Sequence, residues 1–210
     1  MNEIEPFSTK AELVSAIDNG GRFFNIFSQA NDSIVTRGEL AKAAGTWASD
    51  LNAFLFLELA TVGLSEMDKH AVIDMLEPGL RSSYREKNPR RLVPVNVDTQ
   101  CEPGEAIMTE GKIKHCGDKT KFSGFIYTPL MVGQVTTFIM TPIFDAFDVY
   151  HLTGPDQPDS AAVIAVPLNS DLQDGQQIRF GGYIRDLEFE QESDRTHKYY
   201  LEAMYFTRIG

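Results

Sequence analysis

The spacing of apolar residues changes once along this chain, near Asn88-Pro89, and that change constrains the fold more than any motif does. Before it, apolar residues recur every three or four positions; from about Glu105 onward they recur every second position. A stripe with period 3.6 buries as a helix, whereas a period of two buries one face of a strand. The two halves therefore belong to different secondary structures. The fold class expected is α+β, with a small N-terminal helical bundle followed by a C-terminal antiparallel β-barrel or sandwich. The domain reading is a helical part over residues 1–88, a Pro-rich linker over 89–103 and a β part over 104–210.

Four helix starts are visible. Ser8-Thr9-Lys10-Ala11-Glu12 can cap a helix that buries Leu13, Ile17, Phe23, Phe24 and Phe27, with a break at Gly20-Gly21. Thr36-Arg37-Gly38-Glu39 is a capping box. A third helix begins near Ser49-Asp50 and carries Leu51, Phe54, Leu55, Leu59 and Val62 at helical spacing. A second capping box, Ser65-Glu66-Met67-Asp68, opens a helix expected to bury Met67, Ala71, Val72, Met75 and Leu76. Pro78-Gly79 interrupts it, and Leu80 to Tyr84 adds a further turn or helix.

Arg90, Arg91 and the alternating Leu92, Val93, Val95 and Val97 of the linker suffice for an edge strand. Beyond it, Ala106 to Lys114, Phe122 to Leu130, Val135 to Thr141, Asp148 to Thr153, Ala161 to Val166, Gln177 to Phe189 and Tyr199 to Phe206 alternate as strands. No helical pattern separates them, which is the signature of a sandwich or a closed barrel.

Charge and termini narrow the function classes. A net charge of −11 repels a phosphate backbone unless a local basic patch outweighs the global field. The opening MNEIEPFSTK carries acids and a proline where a secretory leader needs basic then apolar residues. The most apolar stretch, Leu51 to Leu64, is interrupted by Asn52 and Glu58 and is too short for a bilayer. A soluble, cytoplasmic chain is expected, with no membrane partner. Cys101 and Cys116 are expected to be free thiols at strand ends.

Phe24-Asn25-Ile26-Phe27 followed by Ser28-Gln29-Ala30-Asn31-Asp32-Ser33-Ile34-Val35-Thr36-Arg37-Gly38-Glu39-Leu40 resembles an EF-hand. Val35 falls at that family's hydrophobic pairing position and Glu39 at its closing carboxylate. The resemblance implies EF-hand-like helix packing, with Ser28, Asp32 and Glu39 as the calcium candidates. The third loop position is Ala30, so the loop is poor in the oxygen ligands that Ca²⁺ requires. No resident metal or cofactor is expected.

Leu172 to Ile184, containing Asp174-Gly175 and Gly181-Gly182, resembles the turn and bent strand of an OB-fold barrel. Gly111-Lys112-Ile113-Lys114 is similar to that family's opening strand and Tyr199 to Phe206 to its closing one. About two strands more are read than the five that such a barrel uses. The resemblance implies a ligand face that includes Lys112, Lys114, Lys121 and Tyr127, with Phe122 and Phe125 as further stacking surfaces.

Other groupings carry less chemistry. Asp145, Asp148 and His151 alternate faces on an extended chain, and Phe144 to Asp148 reads as an acidic turn between strands. Cys101 with His115-Cys116 lacks a fourth zinc ligand. His70 and His197 sit among polar neighbours and are expected to be solvated. Arg81, Arg85, Lys87, Arg90 and Arg91 form one basic cluster, and Lys112, Lys114, Lys119 and Lys121 another. No phosphate-cradling loop, nucleophile elbow or dinucleotide fingerprint is present. The function expected is a non-catalytic binding or adaptor protein that engages a protein or small ligand through the barrel or the interdomain groove. Single-stranded nucleic acid binding is the alternative, and an unrecognised hydrolase the third.

Overall fold

The computed structural model describes residues 1–19, 32–46, 49–132, 135–155, 157–168, 170–187 and 197–209, with backbone alone described at 119–132, 135–145 and 157–160. Helices occupy the N-terminal half. They are α1 (Lys10–Ile17), α2 (Arg37–Ala43), α3 (Asp50–Ala60), α4 (Glu66–Met75) and α5 (Pro78–Lys87). The caps read from sequence are the ones that form. Thr9 and Thr36 each accept from the N3 amide while Glu12 and Glu39 reach back, so both boxes close. Ser49 and Ser65 also cap their helices. Asp68 is a methylene shorter than glutamate and accepts the Ser65 hydroxyl at 2.8 Å instead of reaching the N-cap amide.

α3 is apolar on nearly every side, and Ala53 to Leu57, Leu59 and Ala60 are buried. It needs neighbours all round, and it has them in α2, α5 and the outer wall of the β part. Asn52 and Glu58, the polar interruptions of this segment, tie it to those neighbours. Asn52 Oδ1 accepts from the Tyr183 hydroxyl at 2.6 Å, and Glu58 accepts from the Tyr84 hydroxyl. One expectation fails here: Met67 is 78% exposed. It lies five residues before Val72 on α4, about 140° away around the helix, so the two cannot share the buried face.

The C-terminal half is a closed barrel of five strands: β3 (Ala106–Val132), β4 (Val135–Gly154), β5 (Gln157–Pro167), β6 (Gln177–Asp186) and β7 (Tyr199–Arg208). Around the barrel the order is β3-β4-β5-β7-β6 and back to β3. Only the β5–β7 pairing within that ring is parallel. This closed ring is compatible with an OB-like barrel. The surplus of expected strands disappears because β3 and β4 are single long strands. Phe144 to Asp148, expected as an acidic turn, runs straight through β4.

Two short segments fill the ladder where the long strands leave it open. Arg90–Leu92 (β2) pairs parallel with β3 at Ile107 to Thr109, before β4 takes over that edge at Lys112. Asn2–Glu3 (β1) pairs with β7 at Tyr205 and Phe206, beyond the reach of β5. Unpaired edges attract other chains, so filling them matters for solubility. Between β2 and β3 the segment expected as linker winds into a 3₁₀ turn (Pro94–Asn96) and a short helix, α6 (Val97–Gln100).

Inward-facing Ile107, Ile113, Leu152, Ile164, Ile178, Phe180 and Leu201 fill the barrel, with Val97 and Cys101 joining from α6 and its end. A second apolar cluster joins helices to barrel: Leu13, Leu40, Phe54, Leu55, Leu59, Val72 and Leu80 pack with Met108 and Tyr205. The Tyr205 hydroxyl donates to the Ala44 carbonyl at 2.8 Å, a buried polar tie across the same boundary.

From Thr120↔Ala146 outward to Val132↔Val135, β3 and β4 pair with each other and with no other described strand. This two-stranded ribbon extends about 40 Å at the usual rise per residue. Its sequence from Phe122 to Phe144 contains no charged residue. No helix among the described residues is long and apolar enough to cross a membrane.

Candidate functional site

The residues singled out from sequence separate into several places. Lys112 and Lys114 stand exposed on β3 with Ile113 buried between them, as a period of two requires. Lys114 lies opposite His151 across the β3–β4 ladder. Lys121 and Tyr127 lie further out, on the ribbon, opposite Asp145 and Met140; their side chains are outside the described residues. Phe122, Phe125 and Lys119 share that limit.

The loop that resembles an EF-hand is described only from Asp32 onward, and Ser28 and Ala30 lie outside the described residues. Asp18, a buried residue the sequence reading passed over, organises what is described. Its carboxylate accepts from the Ser33 amide at 2.8 Å and the Asp32 amide at 3.3 Å. Asp32 in turn accepts from the Ile34 amide at 2.9 Å. Glu39 Oε2 accepts from both the amide and the hydroxyl of Thr36, at 2.8 Å each. Val35 exchanges backbone hydrogen bonds with Met75 and Glu77.

His197 is not solvated. Its Nδ1 lies 2.7 Å from Asp98 Oδ2, and Asp98 Oδ1 accepts from the amides of Lys198 and Tyr199. Asp98 thus anchors the start of β7 to α6. The His151 ring stands 5.8 Å from His197. Burial, then the nearby His197 and Lys114, hold His151 below the usual imidazole range. The Cys101–His115–Cys116 grouping does not assemble. Cys101 is buried in the barrel core, and Cys116 is exposed in mid-strand with its thiol 3.3 Å from the Lys114 carbonyl. Asp148 and His151 likewise stay apart, since Tyr150 between Val149 and His151 points into the core.

Asp148 has other neighbours. A β-bulge between His115 and Gly117 aims the His115 ring toward the Asp118–Asp148 pair, and Gly117 supplies the positive φ of 135°. His115 Nε2 lies 3.5 Å from Asp118 Oδ1 and 3.8 Å from Asp148 Oδ1.

A further place is a groove of about 540 Å³ between α3, α4, α5 and the first strands of the β part. Leu57, Ile73 and Met108 give it an apolar floor. Glu58, Glu66 and Asp74 face Lys69, His70, Arg85 and Arg91 around it. Most of these charges are already committed. Lys69 pairs with Glu66 at 2.7 Å, Arg85 with Asp74 at 3.6 Å, and Glu58 with Tyr84. Burial, reinforced by Glu58, pushes the Tyr84 hydroxyl well above the usual phenol range, so it stays a donor. The Lys69 ammonium holds Glu66 below the usual carboxylate range. Arg91 stands apart. Arg37, Arg81, Arg85, Arg90, Arg179, Arg185 and Arg208 each have a carboxylate at salt-bridge distance, and Arg91 has none among the described residues.

The chain matches no family model and no curated protein sequence. Sequence reasoning found Arg91 as one of a cluster but not its lack of a close ion pair among the described residues. It named an interdomain groove as a possible ligand site but not the residues that line it, because α3, α4, α5, β2 and β3 all contribute to it.

Proposed function

We propose that this protein is a non-catalytic binding module that holds a small ligand with an acidic group in the groove between its helices and its barrel. The observation that carries this reading is Arg91, which among the described residues has no carboxylate at salt-bridge distance and lies on the wall of a cavity whose other charges are closely paired. The volume of about 540 Å³ lies within the usual range for small-molecule sites. Apolar Leu57, Ile73 and Met108 would take the body of such a ligand, and the guanidinium its carboxylate or sulfonate, bidentately.

Anilinonaphthalene sulfonate, an apolar dye with one anionic group, tests this directly. The wild-type protein is expected to bind it with enhanced fluorescence. Arg91→Ala should weaken binding at least about tenfold, because it removes a bidentate, charge-assisted contact. Ile73→Trp, at a half-buried position on the groove floor, should abolish it. Dye binding that both variants leave unchanged overturns the proposal.

The second reading, single-stranded nucleic acid at the barrel wall, is favoured by the exposure of Lys112 and Lys114 on one side of β3. Against it stand the net charge of −11 and the internal pairing of seven described arginines. Steeply salt-dependent retention on single-stranded DNA, lost in Lys112→Glu/Lys114→Glu, would select this reading over the groove.

A further inference from the structure

We propose that His115, Asp118 and Asp148 bind a divalent transition-metal ion, of the zinc or manganese class, at the root of the β3–β4 ribbon. Among the described residues this is the one group of three such side chains whose ligand atoms all lie within 4.8 Å of one another. Metal bonds of about 2.0–2.2 Å place neighbouring donors roughly 3–3.5 Å apart. The observed 3.5 and 3.8 Å to His115 are close to that geometry. Asp118 is exposed and can turn to complete it, while Asp148, its side chain 16% exposed, is held by the sheet and His115, 44% exposed, rests one side of its ring on Tyr150.

The electrostatics favour a cation. Asp118 and Asp148 are direct register partners across the ladder, and like charges in that position destabilise a strand pair. Neither has a lysine or arginine partner among the described residues; the side chain they share is the His115 imidazole. Two carboxylates and a neutral imidazole carry −2, which a divalent ion cancels. The imidazole nitrogen points to a transition metal and away from Ca²⁺ or Mg²⁺, which prefer oxygen alone.

Two contacts orient the imidazole. The His115 amide donates to Asp174 Oδ1 at 2.6 Å, and its ring packs edge-on to buried Tyr150 at 5.2 Å. The position gives the ion a mechanical role. β3 leaves β6 at Lys112 and β4 leaves β5 at Phe147, so the ion would clamp the two strands where they depart from the barrel. Three protein donors leave positions open for water or for a group on a partner.

The test is calorimetric titration of the full, chelator-treated chain with zinc chloride and manganese chloride. One equivalent is expected to bind, with His115→Gln and Asp148→Asn each weakening it about tenfold or more. His197→Gln, which disrupts the other described histidine–carboxylate contact, that of His197 with Asp98, should leave binding unchanged. Metal-free melting separates this from misfolding: Asp148→Asn should raise the apo Tm by removing the carboxylate repulsion, and zinc should raise the wild-type Tm but not the variant's. No binding at about millimolar metal overturns the proposal, as does binding that persists in both site variants or is lost in His197→Gln. So does an Asp148→Asn apo protein that melts no higher than wild type.

Discussion

Two thiols in one chain can have opposite reactivity, because the thiolate is the nucleophile and access decides the rest. Cys101 is buried at the end of α6, and that burial, with Glu105 and Asp98 against the opposing Arg90, pushes it up to about 11. Cys116 is exposed on β3. A disulfide reagent at mildly alkaline pH is therefore expected to consume one thiol of the native protein quickly and the other only on unfolding. Rapid loss of both in the folded state, or of neither, contradicts this placement. The same environment explains why a zinc reading built on Cys101 fails: a thiol held protonated in an apolar core is a poor ligand. At this scale sequence reasoning works for residues whose role is local. Thr9, Thr36, Ser49 and Ser65 cap as their neighbours dictate. It fails for Asp98 and His197, which meet across about a hundred residues of chain and whose bond no spacing rule reports.

Among the elements, the ribbon departs furthest from what its sequence suggested. Gly117 to Lys121 breaks the apolar alternation with glycine and charge, so β3 reads as separate strands, yet its hydrogen-bonded pairing with β4 continues through the break. The pattern records which faces are buried; ladder continuity depends on a partner strand, which the pattern does not contain. The same reason hides the candidate metal site. Asp145, Asp148 and His151 are close in sequence, whereas His115 and Asp118 reach Asp148 through register. Beyond Thr120↔Ala146 the ribbon's ladder stabilises no other described strand. Replacing residues 121–145 with Asn-Gly, which favours a two-residue hairpin turn, should leave the barrel intact. The shortened chain is expected to melt within a few degrees of wild type and, lacking the uncharged Phe122 to Phe144 run, to self-associate less. A large loss of Tm would show that the ribbon packs back on the fold.

At the scale of the whole molecule, the boundary seen as a change of period is not a gap in the packing. The apolar cluster of the helical half includes Met108 and Tyr205 of the barrel, and α3 lies directly on β6 and β7. Gly181 permits that approach: a Cβ there would sit 3.2 Å from Leu55 Cδ2 and 3.3 Å from Leu59 Cδ1. Valine adds two methyl groups in the same direction, so α3 must lift from the barrel wall. Overpacking of this kind costs about 1–3 kcal/mol, or roughly 3–10 °C in Tm for a chain of this size. Because one cluster spans both halves, Gly181→Val should lower the helical far-UV signal and the aromatic near-UV signal together, in one transition. Were the helices to melt early while the barrel kept its wild-type Tm, the halves would be separate folding units that merely touch. The groove that holds Arg91 would then be a contact between those units, and its affinity for the dye should fall in Gly181→Val well below the temperature at which the barrel unfolds.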